Sequence, residues 1–293
     1  MKSLKENIDI LLELGKVRIT FFVAVSTSAG FLQHAGKFTW AILLPSFGVF
    51  VLACGSSAFN HYQERKTDAL MDRTKGRPLP SGRISETNAL IYASSLVLIG
   101  LALIYFSSNI TAMLLGVTAL IWYNLIYTPM KKKYALAVVP GALIGAIPPV
   151  IGWAASGGFP FDYKILAIAL FFFIWQIPHF WLLLLIYYKD YQKAGFPTLN
   201  KTFTESQLSR ITYIWIAALA VSSLLIPLLD ISYHVYTFAA MVALGVWLVL
   251  DTKKILSGYL EKVIFRKAFI AINIYVLAVI IIISIDKLLL NEL

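Results

Sequence analysis

Long apolar runs recur along the chain, separated by short stretches where the charged residues collect. They lie at Val17–Gln33, Thr39–Phe59, Ala89–Phe106, Thr111–Tyr127, Leu136–Ala155, Ile165–Tyr187, Ile211–Leu229, Tyr233–Leu250 and Ala268–Ile285. A helix needs about 20 such residues to cross a bilayer, so the pattern predicts an all-α integral membrane protein, a bundle of nine transmembrane helices. No stretch is polar enough for a separate soluble domain, and residues 1–293 read as one transmembrane domain. Met1–Lys16 mixes Lys2, Lys5 and Lys16 with Glu6, Asp9 and Glu13. It reads as an amphipathic lead-in at the membrane surface, not as an arginine-rich transit peptide.

The charges test this count. Of the 25 Lys and Arg, all but Lys37, Lys164 and Lys287 fall in the N-terminus and in the connections after the second, fourth, sixth and eighth runs. These are Lys2, Lys5, Lys16 and Arg18; Arg65, Lys66, Arg73, Lys75, Arg77 and Arg83; Lys131–Lys133; Lys189, Lys193, Lys201 and Arg210; and Lys253, Lys254, Lys262, Arg266 and Lys267. Basic connections stay in the cytoplasm. The N-terminus is therefore expected inside, the C-terminus outside, and the long, function-bearing connections toward the cytoplasm. The outer connections near Ser107–Asn109 and Asp230–Ser232 are short.

Composition sharpens the class: 59% of residues are hydrophobic and only 14% charged, against about 25% charged in soluble domains. The net charge of +10 is distributed over loops and not gathered on one polar surface, which argues against a nucleic-acid partner. The single cysteine, Cys54, excludes a disulfide framework and a cysteine metal cluster. A short chain with this N-terminus suggests the plasma membrane of a prokaryote.

Candidate chemistry gathers where the runs end. Asn60, Glu64 and Asp68 are spaced i, i+4, i+8, so on a helix they form one stripe. Acidic groups at a membrane boundary are costly unless they pair or bind something. Oxygen ligands of this kind suit Mg²⁺ held by carboxylates together with substrate phosphates; the bland alternative is a solvated helix end paired to Arg65 and Lys66. The following Arg73, Lys75 and Arg77 favour the first reading, because they set positive charge beside a bound diphosphate. Asp190, flanked by Lys189, ends the sixth run on the same side as the stripe. Tyr127 and Lys131, four apart, and Lys16 and Arg18 lie at that level too, where lipid-headgroup anchoring is the competing role. Pro140, Gly141, Gly145, Pro148, Pro149 and Gly152 interrupt the fifth run, consistent either with a cavity lining or with close packing. His179 lies inside the sixth run, where an ionisable side chain is a functional candidate or a hydrogen-bonded packing residue.

These stretches, in this order, resemble the UbiA superfamily of intramembrane aromatic prenyltransferases, and within it the branch acting on heme. Its first motif, Asn-Asp-x-x-Asp-x-x-x-Asp, falls on Asn60, His61, Glu64 and Asp68, with His61 and Glu64 each replacing an Asp. Met71–Gly82, Tyr127–Lys132, Gly145–Trp153 and Pro178–Trp181 resemble that branch. The second acidic motif keeps one Asp, Asp190, where most of the superfamily has two. The resemblance implies an Mg²⁺-dependent transferase. Asn60, Glu64, Asp68 and Asp190 would hold the metal. Arg18, Arg73, Lys75, Arg77, Tyr127, Lys131 and Lys189 would hold the diphosphate of farnesyl diphosphate. Heme b would accept the farnesyl group, with His179 as a heme ligand, and heme A synthase or a terminal oxidase would be a partner. Two other readings stay open: a quinone or chlorophyll precursor as acceptor, and a non-enzymatic porter of heme or anionic lipid, whose internal repeats this sequence does not display.

Overall fold

The computed structural model describes residues 4–199, 203–230, 233–257 and 262–289. Lys2, Lys201 and Ser232, part of the loop expectations above, lie outside them. The elements are α1 Leu4–Leu14, α2 Val17–Ala35, α3 Leu43–Asp68, α4 Glu86–Ser107, α5 Ile110–Met130, α6 Val138–Ala155, α7 Tyr163–Ile186, the short α8 Tyr188–Lys193, α9 Glu205–Leu229, α10 Val235–Thr252 and α11 Lys262–Leu289. Among the described residues there is no strand.

Eight of these helices are long and apolar enough to cross a membrane. They correspond to the second through ninth expected runs. The first run is α2, 19 residues long, about 28 Å at 1.5 Å per residue; Arg18, Gln33 and His34 dilute its hydropathy. Helix ends depart from the hydrophobic runs where charge enters a helix. Residues 262–267, with Lys262, Arg266 and Lys267, already belong to α11, and residues 60–68 continue α3. A hydropathy boundary marks where lipid contact stops, not where backbone hydrogen bonding stops.

Small residues set the closest approaches. A Cβ on Gly152 of α6 would lie 1.8 Å from Thr27 O of α2, and one on Gly30 of α2 would lie 1.9 Å from Pro149 O. These helices touch backbone to backbone, as lipid-embedded helices do where side chains are absent. Gly100 of α4 meets the backbone of Leu52 on α3 in the same way, at 2.5 Å. Gly141 faces the Tyr127 ring and Gly145 the Gln176 amide. The interrupted fifth run is thus mainly a packing surface, though its first residues, Ala137 and Val138, also line the cavity described below. The main core joins α6, α7, α9, α10 and α11 around Phe171, Ile177, Leu182, Leu219, Met241 and Tyr275. Exposed Leu98, Phe106, Leu114, Leu125, Val246 and Leu250 face outward on α4, α5 and α10, as a lipid-facing surface requires.

α1 buries Ile10 and Leu14 and leaves Leu4, Ile8 and Leu12 exposed, an i, i+4, i+8 apolar stripe suited to the interface. It is held by the Glu13–Arg83 ion pair at 2.6 Å and by the Tyr92 hydroxyl donating to Leu11 O.

Candidate active site

α3 has 26 residues, about 39 Å of helix against a hydrocarbon thickness of about 30 Å. Its last turns therefore stand beyond the lipid. They carry Asn60, His61, Glu64 and Asp68, all less than a tenth exposed. Four polar side chains buried at one helix end require partners or a ligand, and the surrounding elements supply cations. Arg77, from the loop after α3, gives Nη1 to Asp68 Oδ2 at 2.8 Å. Lys131, just past α5, pairs with Glu64 at 2.7 Å. Lys16, at the turn between α1 and α2, donates to Asn60 Oδ1 at 3.1 Å, while Asn60 Nδ2 donates to Thr128 Oγ1 at 3.1 Å. Asp68 Oδ1 and both His61 ring nitrogens are buried with no hydrogen-bond partner. Beside the surrounding cations, these atoms offer contacts to a polar ligand or ion.

These residues line a cavity of about 780 Å³. Its polar end contains Asn60, His61, Glu64, Asp68, Lys16, Arg18, Arg73, Arg77 and Lys131, and its apolar walls include Val17, Ile19, Val138, Phe180 and Leu184. Tyr123 and Tyr127 line it as well, stacked at 6.0 Å, and Phe180 lies tilted against Tyr127 at 5.7 Å. The backbone explains this pair. Residues Trp122–Tyr127 form a π-helical turn. Pro129 four residues after Leu125 lacks an N–H and crowds that carbonyl, and a widened turn relieves the clash. The Thr128 hydroxyl takes up Tyr123 O at 2.9 Å.

Electrostatics follow from the mixture. Burial lowers the Lys16 ammonium to about 7, with the nearby Arg77 guanidinium adding to the effect and Glu64 opposing it. Burial alone would lower Lys131 too, but the Glu64 carboxylate beside it raises it above the ordinary lysine value. The polar end is thus a set of cations held close together by two carboxylates, a surface on which an added polyanion is attracted.

Of the residues expected from sequence, the cavity brings together Asn60, Glu64, Asp68, Arg18, Arg73, Arg77, Tyr127 and Lys131. Asp190 is not among its lining residues. Its Oδ2 accepts from the backbone N–H of Arg73 at 3.3 Å, which joins it to the rim through a residue that does line the cavity. It therefore lies on the same side of the bundle as the α3 stripe, and its neighbour Tyr191 reaches the interior. Lys75 is exposed and paired with Asp72 at 3.0 Å. Lys189 is exposed. Lys193 also pairs with Asp72, tying α8 to the loop after α3. His179 lies outside this cavity lining, next in the chain to Phe180. Lys16, expected only as a cation at that level, lines the site, and so do Tyr123 and Tyr191, which no sequence motif singled out. The signal for Lys16 is conformational: among the described residues it is the non-glycine one at positive φ, 47°, which the letter code does not announce.

Among the described residues no three His, Cys, Asp or Glu side chains converge as a protein-only metal site. The donor set instead fits an ion shared with a ligand. Mg²⁺ binds through one or two carboxylates plus substrate phosphates, and Asp68 Oδ1 is a buried carboxylate oxygen that makes no hydrogen bond.

Fold and site together define an α-helical integral membrane protein whose buried chamber suits an anionic phosphate head and an apolar tail. Residues 20–273 match the model of the UbiA prenyltransferase family, and the chain belongs to that family and is a prenyl transferase. It is 34% identical over 277 residues to a protoheme IX farnesyltransferase of Oleidesulfovibrio alaskensis, covering 94% of this chain and 95% of the relative. A protoheme IX farnesyltransferase of Geobacter sulfurreducens is 43% identical over 180 residues, which span 61% of this chain and 66% of that protein. The fold is similar to a solved digeranylgeranylglyceryl phosphate synthase, with a TM-score of 0.76 at 18% identity over 96% of this chain and 99% of the other. It is also similar to a UbiA homolog from Archaeoglobus fulgidus bound to GPP and Mg²⁺, with a TM-score of 0.66 at 18% identity over 94% and 99%.

Proposed function

We propose that this protein transfers the farnesyl group of farnesyl diphosphate to a vinyl group of heme b, with addition of water, to give heme o. The observation that carries the reading is the buried Asn60–Glu64–Asp68 stripe, ringed by Lys16, Arg77 and Lys131 and opening onto an apolar chamber. The names of its relatives supply the donor and acceptor.

Arg18, Arg73, Arg77, Lys131 and Lys16 hold the diphosphate, and the Tyr127 hydroxyl donates to it. Lys75 and Lys189 add positive potential at the mouth. Asn60, Glu64 and Asp68 would hold Mg²⁺, with Asp190 close by at the rim. When bound, Mg²⁺ neutralises charge on the leaving group. The allylic C–O bond breaks, its electron pair leaves with the diphosphate, and the cations stabilise that developing charge in place. Tyr123, Tyr127 and Phe180 present π faces to the allylic cation, each worth about 0.5–2 kcal/mol. The vinyl π electrons form the new C–C bond; water adds to the resulting cation and loses its proton to the diphosphate or to solvent.

The same reading gives nine spans, with α2 as the first, an inner (plasma) membrane of a prokaryote, and a site facing the cytoplasm. The support is the clustering of basic loops 65–83, 131–133 and 189–193 at the cavity's end. The test uses purified protein with radiolabelled farnesyl diphosphate and heme b. Heme o forms with Mg²⁺ and stops with chelator; absence of labelled heme, with label entering another aromatic acceptor instead, refutes the assignment of the acceptor.

A further inference from the structure

Resting on heme as the acceptor, the geometry points to Asn273 as the positioning residue that fixes His179 in the tautomer able to ligate heme iron. His179 lies on α7 and Asn273 on α11. The His179 Nδ1 is 3.0 Å from Asn273 Oδ1. Which nitrogen bears the proton follows from the amide's other contact. Asn273 Nδ2 donates to Phe269 O, one turn earlier on its own helix. Turning the amide over would set Oδ1 against that carbonyl, acceptor against acceptor, so the side chain is held with oxygen toward the imidazole. An oxygen there accepts and cannot donate. The proton of the neutral ring therefore sits on Nδ1, and the lone pair is on Nε2.

Nε2 takes no protein partner among the described residues and is not among the buried polar atoms lacking one. The ring itself is fixed in direction by Trp175, with centroids 4.8 Å apart, and by Phe269 at 4.7 Å. A neutral imidazole locked by a hydrogen bond at one nitrogen and free at the other is the arrangement that iron-ligating histidines use, where the partner sets orientation and basicity. Phe180, next in the chain, lines the donor cavity and leans on Tyr127. A porphyrin bound at His179 would be held by the residue that precedes this chamber wall in the chain. The ligand class is an iron porphyrin offering an open axial position.

Resonance Raman spectra of ferrous heme on the full-length protein test this directly. The wild type is expected to give an iron–histidine stretching band. The band disappears in His179→Ala and returns as an imidazole complex when imidazole is added. Asn273→Asp, a stronger acceptor for Nδ1–H, moves the band to higher frequency; Asn273→Leu, with no acceptor, moves it lower. A band that survives His179→Ala, or none in the wild type, overturns the ligand. A band that is lost in His179→Ala but identical in both Asn273 variants overturns the positioning role. Heme o formation by the wild type is scored in parallel, so failure here with product still made leaves the farnesyl transfer standing.

Discussion

Asp68→Asn keeps the shape of the side chain and removes its charge, which isolates what the carboxylate does. Asp68 is 1% exposed and its Oδ2 meets Arg77 Nη1 at 2.8 Å. At that distance and an effective dielectric near 20, the gross attraction is about 6 kcal/mol, most of it offset by desolvation. Removing one member of a buried pair costs about 3–5 kcal/mol. The Arg77 side chain is 19% exposed, so the lower end applies and the variant still folds, with a reduced Tm. Catalysis suffers more specifically. Oδ1 is a buried oxygen that makes no hydrogen bond, and loss of a group stabilising the departing charge costs about 100- to 1,000-fold in rate. The assay is the initial rate of labelled farnesyl incorporation at saturating donor, beside a thermal melt in detergent. An Asp68→Asn variant that melts lower yet turns over at more than a tenth of the wild-type rate would show that Asp68 holds Arg77 and nothing else.

Further outcomes follow from other contacts. Lys16→Met raises the KM for farnesyl diphosphate about tenfold, the equivalent of 1.4 kcal/mol, whereas Lys16→Gly raises it equally but also relieves the αL cost of about 1–2 kcal/mol and melts higher than Lys16→Met; equal melting points refute the strain. Glu64→Asp retains activity and the pairing with Lys131, while Glu64→Gln loses both, as steady-state rates report; full activity in Glu64→Gln removes the carboxylate from the mechanism. Gly152→Ala forces a Cβ to within 1.8 Å of Thr27 O and lowers stability by about 1–3 kcal/mol or more. Gly76→Ala, with nothing within 4 Å, serves as the control, and equal melting of the two refutes the close α2–α6 contact.

How much was legible in the letters differs between fold and site. Hydropathy and loop charge located the helices because the bilayer is a solvent with one dimension to satisfy: about 20 apolar residues per crossing. The i, i+4, i+8 stripe was legible because helical periodicity alone puts Asn60, Glu64 and Asp68 on one face. Their burial was not, since it depends on α3 outrunning the membrane and on what Arg77, Lys131 and Lys16 bring from elsewhere.

The sequence by itself determined an all-α membrane bundle, the acid- and amide-bearing end of α3 and the cations near it in the chain. Only the tertiary structure decided that Lys16 bends back through a left-handed turn onto Asn60, that a π turn sets Tyr123 over Tyr127, that Asp190 reaches the rim through the Arg73 backbone, and that Asn273 chooses the His179 tautomer. The reason is range. Helix periodicity and lipid matching act within a run of 20 residues, while each of these contacts joins residues brought side by side by helix packing, where glycines, a proline-driven turn and hydrogen-bond direction determine what meets what.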